Sequence, residues 1–287
     1  MTPGETVRRE HVRFAGHQGV TLAADRWAPS GAERRTVLLL PGGGQTRRSW
    51  SRTAERLAAE GWPALGMDAR GHGDSEWSPA GAYRLDDFVA DLHAVVDQLG
   101  APPVVVGASL GGRTALAAEG ESPGLLAGLV LVDITHRVDR TGQARVRRFL
   151  ESAPNGFGSL DEAAAAVDAY RPRPGTRRNL DGLRKNLRRR ADGRWYWHWD
   201  PGFLAFAADA RNSDETRLTR AARHVTIPTL LVRGRHSDMV PRAAAAELLE
   251  LIPSAELVEV AAGHMIAGDD NDVFTERLCE FLAGRVP

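Results

Sequence analysis

Residues 104–112 read V-V-V-G-A-S-L-G-G and place Ser109 between a buried-strand pattern and a helical pattern. The valines predict a strand, and the residues after Ser109 predict a helix with paired glycines in its first turn. Gly107 and Gly111 let the strand and the helix approach closely, which exposes the serine hydroxyl on a sharp turn. The pattern indicates a nucleophilic serine, and the alternative is a serine that only caps a helix.

The sequence on both sides of this turn alternates between strands and helices. Strands are predicted at residues 11–14, 20–27, 36–40, 62–67, 103–106, 125–132, 227–234 and 256–260, and helices at 51–60, 85–99, 110–119, 242–251 and 273–282. Strand, helix and strand in succession imply parallel strands with right-handed crossovers. We therefore expect an α/β fold, with helices on both faces of the sheet and functional loops at the carboxyl ends of its strands.

The alternation stops between residues 135 and 218. This segment is helical and arginine-rich, and it contains the aromatic run R-W-Y-W-H-W-D at 194–200. We predict one core domain formed by residues 1–134 and 219–287, with residues 135–218 inserted as a helical cap.

A serine hydroxyl needs a general base, and that base needs a carboxylate to hold its tautomer. His264 follows the predicted strand E-L-V-E-V in the small-residue loop A-A-G-H-M, and it is the candidate base among nine histidines. Asp238 follows another predicted strand in the loop G-R-H-S-D-M-V-P and is the candidate acid. The alternatives are a loop histidine and a carboxylate that only begins a helix.

Five motifs in this order resemble the α/β-hydrolase fold family, in its serine-nucleophile branch with a helical cap. They are P-G-G-G at 41–44, D-A-R-G-H-G-D-S at 68–75, G-A-S-L-G-G at 107–112, G-R-H-S-D-M-V-P at 234–241 and A-G-H-M at 262–265. The resemblance implies a mostly parallel eight-stranded sheet and the chain order Ser, Asp, His for the triad. It also implies an oxyanion hole formed by the backbone amides of Leu110 and Gly43, with Gly44 as the other candidate in that loop.

Several other residues are possible participants. Some relatives supply the acid from an earlier strand end, where this chain has Asp133. His236 is placed at the pocket, and His72 matches a loop that is structural in the family. The same residues would also suit a carbon–carbon bond hydrolase or lyase, or a non-enzymatic binding protein of the same fold.

The cap sequence predicts substrate contacts. Trp197 and Trp199 are expected to form a pocket wall or to seal the cap onto the core, without taking part in the chemistry. Nine arginines and one lysine oppose two aspartates in residues 171–194. Solvated helix faces explain most such runs, and binding of an anionic substrate is the alternative.

The amino-acid composition argues against several kinds of partner and site. The 37 basic and 37 acidic residues balance, which argues against a nucleic-acid or membrane partner. A single cysteine, Cys279, argues against a disulfide or a cysteine metal site. We expect a cytoplasmic monomer or homodimer that acts on a small molecule and requires no metal or other cofactor.

Overall fold

The computed structural model describes residues 7–29, 34–170, 180–184, 186–207, 214–263 and 272–286 and is organised around one eight-stranded sheet. The described strands are β1 (Arg8–Ala15), β2 (Thr21–Ala28), β3 (Val37–Leu40), β4 (Ala64–Met67), β5 (Val104–Ala108), β6 (Gly128–Val132), β7 (Leu187–Arg189), β8 (Trp195–Trp197), β9 (Thr229–Gly234) and β10 (Ala255–Val260). Of these, β7 and β8 form a separate hairpin, and the other eight form the sheet. The order in the sheet is β1-β2-β4-β3-β5-β6-β9-β10. Within this sheet only β2 is antiparallel to its neighbours, so the other seven strands run in the same direction.

Helices cover both faces of this sheet. The described helices are α1 (Ser51–Ala59), α2 (Leu85–Leu99), α3 (Leu110–Glu121), α4 (Arg140–Leu150), α5 (Leu160–Tyr170), α6 (Leu180–Arg184), α7 (Pro201–Ala207), α8 (Glu215–Ala222), α9 (Arg242–Leu251) and α10 (Asp272–Arg285). Of these, α2, α3, α8 and α9 pack on one face of the sheet, and α1 and α10 pack on the other. Among the described residues, no helix combines the length and the apolar character that crossing a membrane would need.

The central strands are buried on both faces because their apolar side chains alternate between two cores. In β5, Val105 points into the core that contains α2 and α3, whereas Val104 and Val106 point into the core that contains α1 and α10. Full burial of a valine or leucine side chain contributes about 1.5–3 kcal/mol before chain entropy is counted. The sheet is therefore a rigid base for the loops at its carboxyl edge.

The elements between β6 and β9 include the β7–β8 hairpin, which the sequence did not predict. Each of its strands has only three residues, too short for an alternating pattern to be visible. The predicted boundary at residue 218 falls inside α8, which packs against α3 of the core. We propose that the division lies before α8, and we use the word cap for residues 135–213.

Candidate active site

The turn between β5 and α3 holds Ser109 in a strained conformation. Ser109 has φ 44° and ψ −108°, a region that side-chain-bearing residues rarely occupy. Such backbone strain costs about 1–3 kcal/mol and persists only where the surroundings impose it. The close packing of β5 against α3 imposes it here, and glycine permits that packing, because a Cβ at Gly107 would lie 2.5 Å from the amide nitrogen of Gly112. The turn leaves Ser109 half-buried at the carboxyl end of β5.

The close contact between this helix and β3 gives a stability prediction. A Cβ at Gly111 would lie 2.6 Å from the backbone oxygen of Leu40, so Gly111→Ala should force the helix away from the strand. We expect a loss of about 1–3 kcal/mol and a melting temperature lower by several degrees. Gly284→Ala is the matched control, because Gly284 also lies in a helix and a Cβ there would meet nothing within 4 Å. Equal melting temperatures for the two variants would contradict the close-contact explanation.

The loop after β3 lies directly beside Ser109. A Cβ at Gly42 would lie 3.3 Å from the Cβ of Ser109, and one at Gly43 would lie 4.0 Å from the side chain of Leu110. Gly44 has φ 78° and donates its amide hydrogen to Nε2 of His72 at 3.1 Å. This bond commits the Gly44 amide, so Gly43 is the better candidate to act with Leu110. We call residues 42–44 the oxyanion loop.

Two buried histidines, His72 and His198, lie next to the oxyanion loop with ring centroids 5.8 Å apart. Burial lowers the pKa of His72 to about 4. Burial also lowers the pKa of His198 to about 3, with a further contribution from nearby His72. Both rings are therefore neutral near pH 7, and each has one N–H donor and one acceptor nitrogen.

Asp133 lies at the end of β6, the strand next to β5 and to the turn at residues 107–112 that holds Ser109, which we call the elbow, and is fully buried. Its carboxylate accepts hydrogen bonds from the amide of Gly234 at 2.9 Å and from the hydroxyl of Ser237. A Cβ at Gly234 would lie 2.6 Å from the carbonyl oxygen of Gly263. The Asp133 carboxylate is thus held beside the loop whose next residue is His264. His264 itself lies outside the described residues.

Asp238, the acid expected from sequence, turns toward the cap instead. Its carboxylate is 44% exposed and accepts a hydrogen bond from Nη1 of Arg145 at 3.0 Å. The carbonyl of Asp238 packs so closely against Gly142 of α4 that a Cβ there would lie 2.2 Å away. His236, expected at the pocket, is exposed. Asp133 directly follows β6, beside the end of β5 that carries Ser109, whereas Asp238 lies four residues beyond the end of β9.

The aromatic run of the cap forms a buried cluster above the oxyanion loop. Trp197 and Trp199 are stacked with ring centroids 5.0 Å apart, and both are buried. A Cβ at Gly44 would lie 3.3 Å from the ring of Trp199, so this tryptophan seals the cap onto the loop. Trp197 packs instead against Phe149 and Phe157 within the cap. Of the two, only Trp199 contacts the oxyanion loop in this way.

The described arginines of the cap sequence 171–194 have partners within the protein. Arg188 pairs with Asp74 at 2.9 Å, and Arg194 donates to the carbonyls of Asn155 and Gly156. Arg184 and Arg190 lie over the rings of Trp195 and Tyr196. These contacts favour a structural role for the described part of the patch. The segment 171–179, which holds four more arginines, lies outside the described residues.

A small apolar cavity of about 30 Å³ lies between α2, α3 and the sheet. Its lining is Leu22, Leu40, Pro41, Met67, Ala69, Phe88, Asp91, Leu92, Leu110, Gly111 and Thr114. The carboxylate of Asp91 is already paired with Arg70 at 2.6 Å. The space next to Leu110 therefore suits a small apolar group.

The sequence is similar to a known protein family and to several named proteins. A family model described as alpha/beta hydrolase fold matches residues 35–270. The protein named Esterase Rv0045c, from Mycobacterium tuberculosis, is 31% identical over 261 residues, which are 88% of this chain and 83% of that protein. The 2-(acetamidomethylene)succinate hydrolase of Mesorhizobium japonicum is 29% identical over 230 residues, covering 76% of this chain and 77% of that protein.

Solved structures are also similar over nearly the whole chain. The crystal structure of E-2-(acetamidomethylene)succinate hydrolase has a TM-score of 0.80 at 21% identity and covers 96% of this chain and 100% of that one. A structure of the M. tuberculosis esterase Rv0045c has a TM-score of 0.72 at 29% identity, covering 98% of this chain and 94% of that one. The similarity extends over the sheet, the elbow and the inserted segment.

Proposed function

We propose that this chain, which belongs to the alpha/beta hydrolase fold family, hydrolyses a carboxylic ester, thioester or lactone of a small acyl substrate. It is an enzyme of the hydrolase class, and its relatives include proteins named esterase, lipase and hydrolase. The observation that carries the proposal is Ser109 at φ 44°, held beside the glycine amides of the oxyanion loop. Strain of this kind, next to the Gly43 and Leu110 amides proposed for the oxyanion hole, suits a covalent nucleophile.

The proposed reaction gives each of these groups one role. Ser109 attacks the substrate carbonyl carbon while His264 takes the hydroxyl proton, and the amides of Gly43 and Leu110 stabilise the resulting oxyanion. His264 then gives that proton to the leaving alcohol or thiol, which departs and leaves an acyl group on Ser109. His264 next removes a proton from water, which attacks the acyl group and releases the acid.

For the acid that orients His264, we propose Asp133 in place of Asp238. Hydrogen bonds from Gly234 and Ser237 fix the Asp133 carboxylate, and a carboxylate that orients a histidine is itself commonly held in this way. Asp238 is instead 44% exposed and bonded to Arg145 of the cap.

Covalent labelling tests the proposed nucleophile. A fluorophosphonate should attach to Ser109 with loss of fluoride, and mass spectrometry of the digested protein should find the adduct on the peptide that contains Ser109. Prior heat denaturation should abolish labelling, because an unfolded serine has no activating base. An adduct on another residue, or none, would overturn the assignment.

A second candidate function is favoured by the relative named 2-(acetamidomethylene)succinate hydrolase. By that likeness, the triad would act on an anionic acid as its substrate. The reaction could then be a carbon–carbon bond cleavage, which the elbow sequence also allows. A panel of p-nitrophenyl esters and lactones decides between the two. Turnover of simple aryl esters at rates well above background favours the first function, whereas Ser109 labelling without ester turnover favours the second.

A further inference from the structure

The peptide groups on both sides of Gly44 are held by imidazole rings. The amide of Gly44 donates to Nε2 of His72, and its carbonyl accepts a hydrogen bond from Nε2 of His198 at 3.3 Å. Gly44 also has a positive φ, which glycine adopts readily because it has no Cβ, so few steric restraints act on its backbone. The two rings therefore supply restraint at the most permissive residue of the oxyanion loop.

The tautomers of both rings follow from their other contacts. Nδ1 of His72 faces the carbonyl of Arg70 at 2.9 Å and must carry hydrogen, which leaves Nε2 as the acceptor. Nδ1 of His198 accepts a hydrogen bond from the amide of Gly73 at 2.8 Å. Its Nε2 therefore carries the hydrogen and donates it in a hydrogen bond to the carbonyl of Gly44. Every ring nitrogen is used once, and neither ring can gain a proton without losing one of these bonds.

His198 belongs to the cap, whereas the groups it binds belong to the core. It lies between β8 and α7 and is only 2% exposed. The charged groups near it are Arg188 of the cap and Asp74 of the core, which pair with each other. Phe203 of α7 completes the contact, because its ring lies 3.1 Å from where a Cβ on Gly43 would be and 4.7 Å from the His72 ring centroid.

We propose that His198 is a positioning residue for the oxyanion hole: it joins the cap to Gly44 and, with His72 on the other side, keeps the Gly43 amide directed at the carbonyl oxygen. The proposal rests on the proposed function, because it requires an oxyanion formed by attack of Ser109. It gives the cap a part in the rate of the chemical step, beyond the substrate selection that its sequence predicts.

A pair of variants separates the two hydrogen bonds of His198. In His198→Gln, the amide nitrogen can occupy the position of Nε2 and keep the bond to Gly44. In His198→Asn, the shorter amide can occupy the position of Nδ1 and keep the bond to Gly73 while losing Gly44. Deleting an oxyanion-hole donor lowers kcat about 10²- to 10³-fold, and misplacing a donor should lower kcat by a smaller factor.

We expect His198→Asn to lower kcat on a small aryl ester about 10- to 100-fold, with KM changed less than about threefold. The rate of fluorophosphonate labelling should fall in parallel, because the phosphoryl oxygen occupies the same hole. His198→Gln should keep kcat within about threefold of wild type. A residue that only stabilises the cap would instead lower melting temperature in both variants and leave kcat per folded molecule unchanged.

The outcomes distinguish this inference from the function on which it rests. Wild-type labelling at Ser109 together with equal kcat in the Asn and Gln variants would overturn the positioning role and leave the hydrolase function standing. Wild-type protein that neither labels nor turns over any ester would overturn both. Should His198→Asn fail to fold, the Gln variant decides, because a tenfold loss of kcat at unchanged melting temperature would contradict the inference.

Discussion

Ser109→Ala should reduce ester turnover to the background rate, a fall of about 10⁴-fold or more in kcat, because the acyl intermediate needs the serine oxygen. Alanine removes one hydroxyl from a half-buried site and leaves the glycines of the turn unchanged, so the fold should persist. Stopped-time assays with p-nitrophenyl acetate, together with circular dichroism, measure both effects.

The control for this variant is Ser254→Ala. Ser254 is exposed, and its hydroxyl donates a hydrogen bond to the carbonyl of Ile227, far along the chain from the elbow. Its activity should equal that of wild type. If Ser109→Ala kept more than a few per cent of wild-type kcat, or if both variants lost activity equally, Ser109 would not be the nucleophile.

Asp133→Asn should lower kcat by about 10³- to 10⁴-fold, whereas Asp238→Asn should stay within about threefold of wild type. An asparagine at 133 keeps the shape of the side chain but can hold the histidine in the wrong tautomer and cannot stabilise its imidazolium form. At 238, the substitution removes an ion pair with Arg145 in which both side chains are about half exposed, and such a pair contributes at most about 1 kcal/mol. Steady-state kinetics of the two variants, each checked for folding, give the comparison.

The two aspartates serve as controls for each other, because the chemical change is identical. The sequence alone favours Asp238, so a crippled Asp238→Asn with a nearly wild-type Asp133→Asn would restore that assignment. Loss of activity in both variants would mean that the Asp238 loop helps to place Ser237, which donates to Asp133.

The sequence predicts the core of this fold well. Helices at 85–99 and 242–251 match α2 and α9, and the eight-stranded α/β-hydrolase sheet is confirmed. The reason is that strands buried on both faces have continuous apolar runs, and the elbow needs glycines at fixed spacing from one serine. Both signals are local in the chain.

The parts that sequence could not predict depend on contacts between distant segments. Choosing between Asp133 and Asp238 requires knowing that Gly142 and Arg145 of α4 occupy the Asp238 loop. His198 sits 154 residues from Gly44 in an aromatic run, and nothing local distinguishes a histidine that binds backbone there from one that packs. The triad and oxyanion residues stay predictions until the variants are measured.

The insertion point of the cap has a consequence for chain entropy. Val132 of β6 and Val232 of β9 are paired in the sheet, yet 96 residues separate the two strands, compared with 19 between β5 and β6. Closing a loop costs about 0.6 kcal/mol for each doubling of its length, so the longer connection costs the sheet only about 1.4 kcal/mol more. Segments of different length can therefore be exchanged between these strands at nearly constant stability of the sheet. What restricts such an exchange is whether the new segment still brings a hydrogen-bond donor to the carbonyl of Gly44.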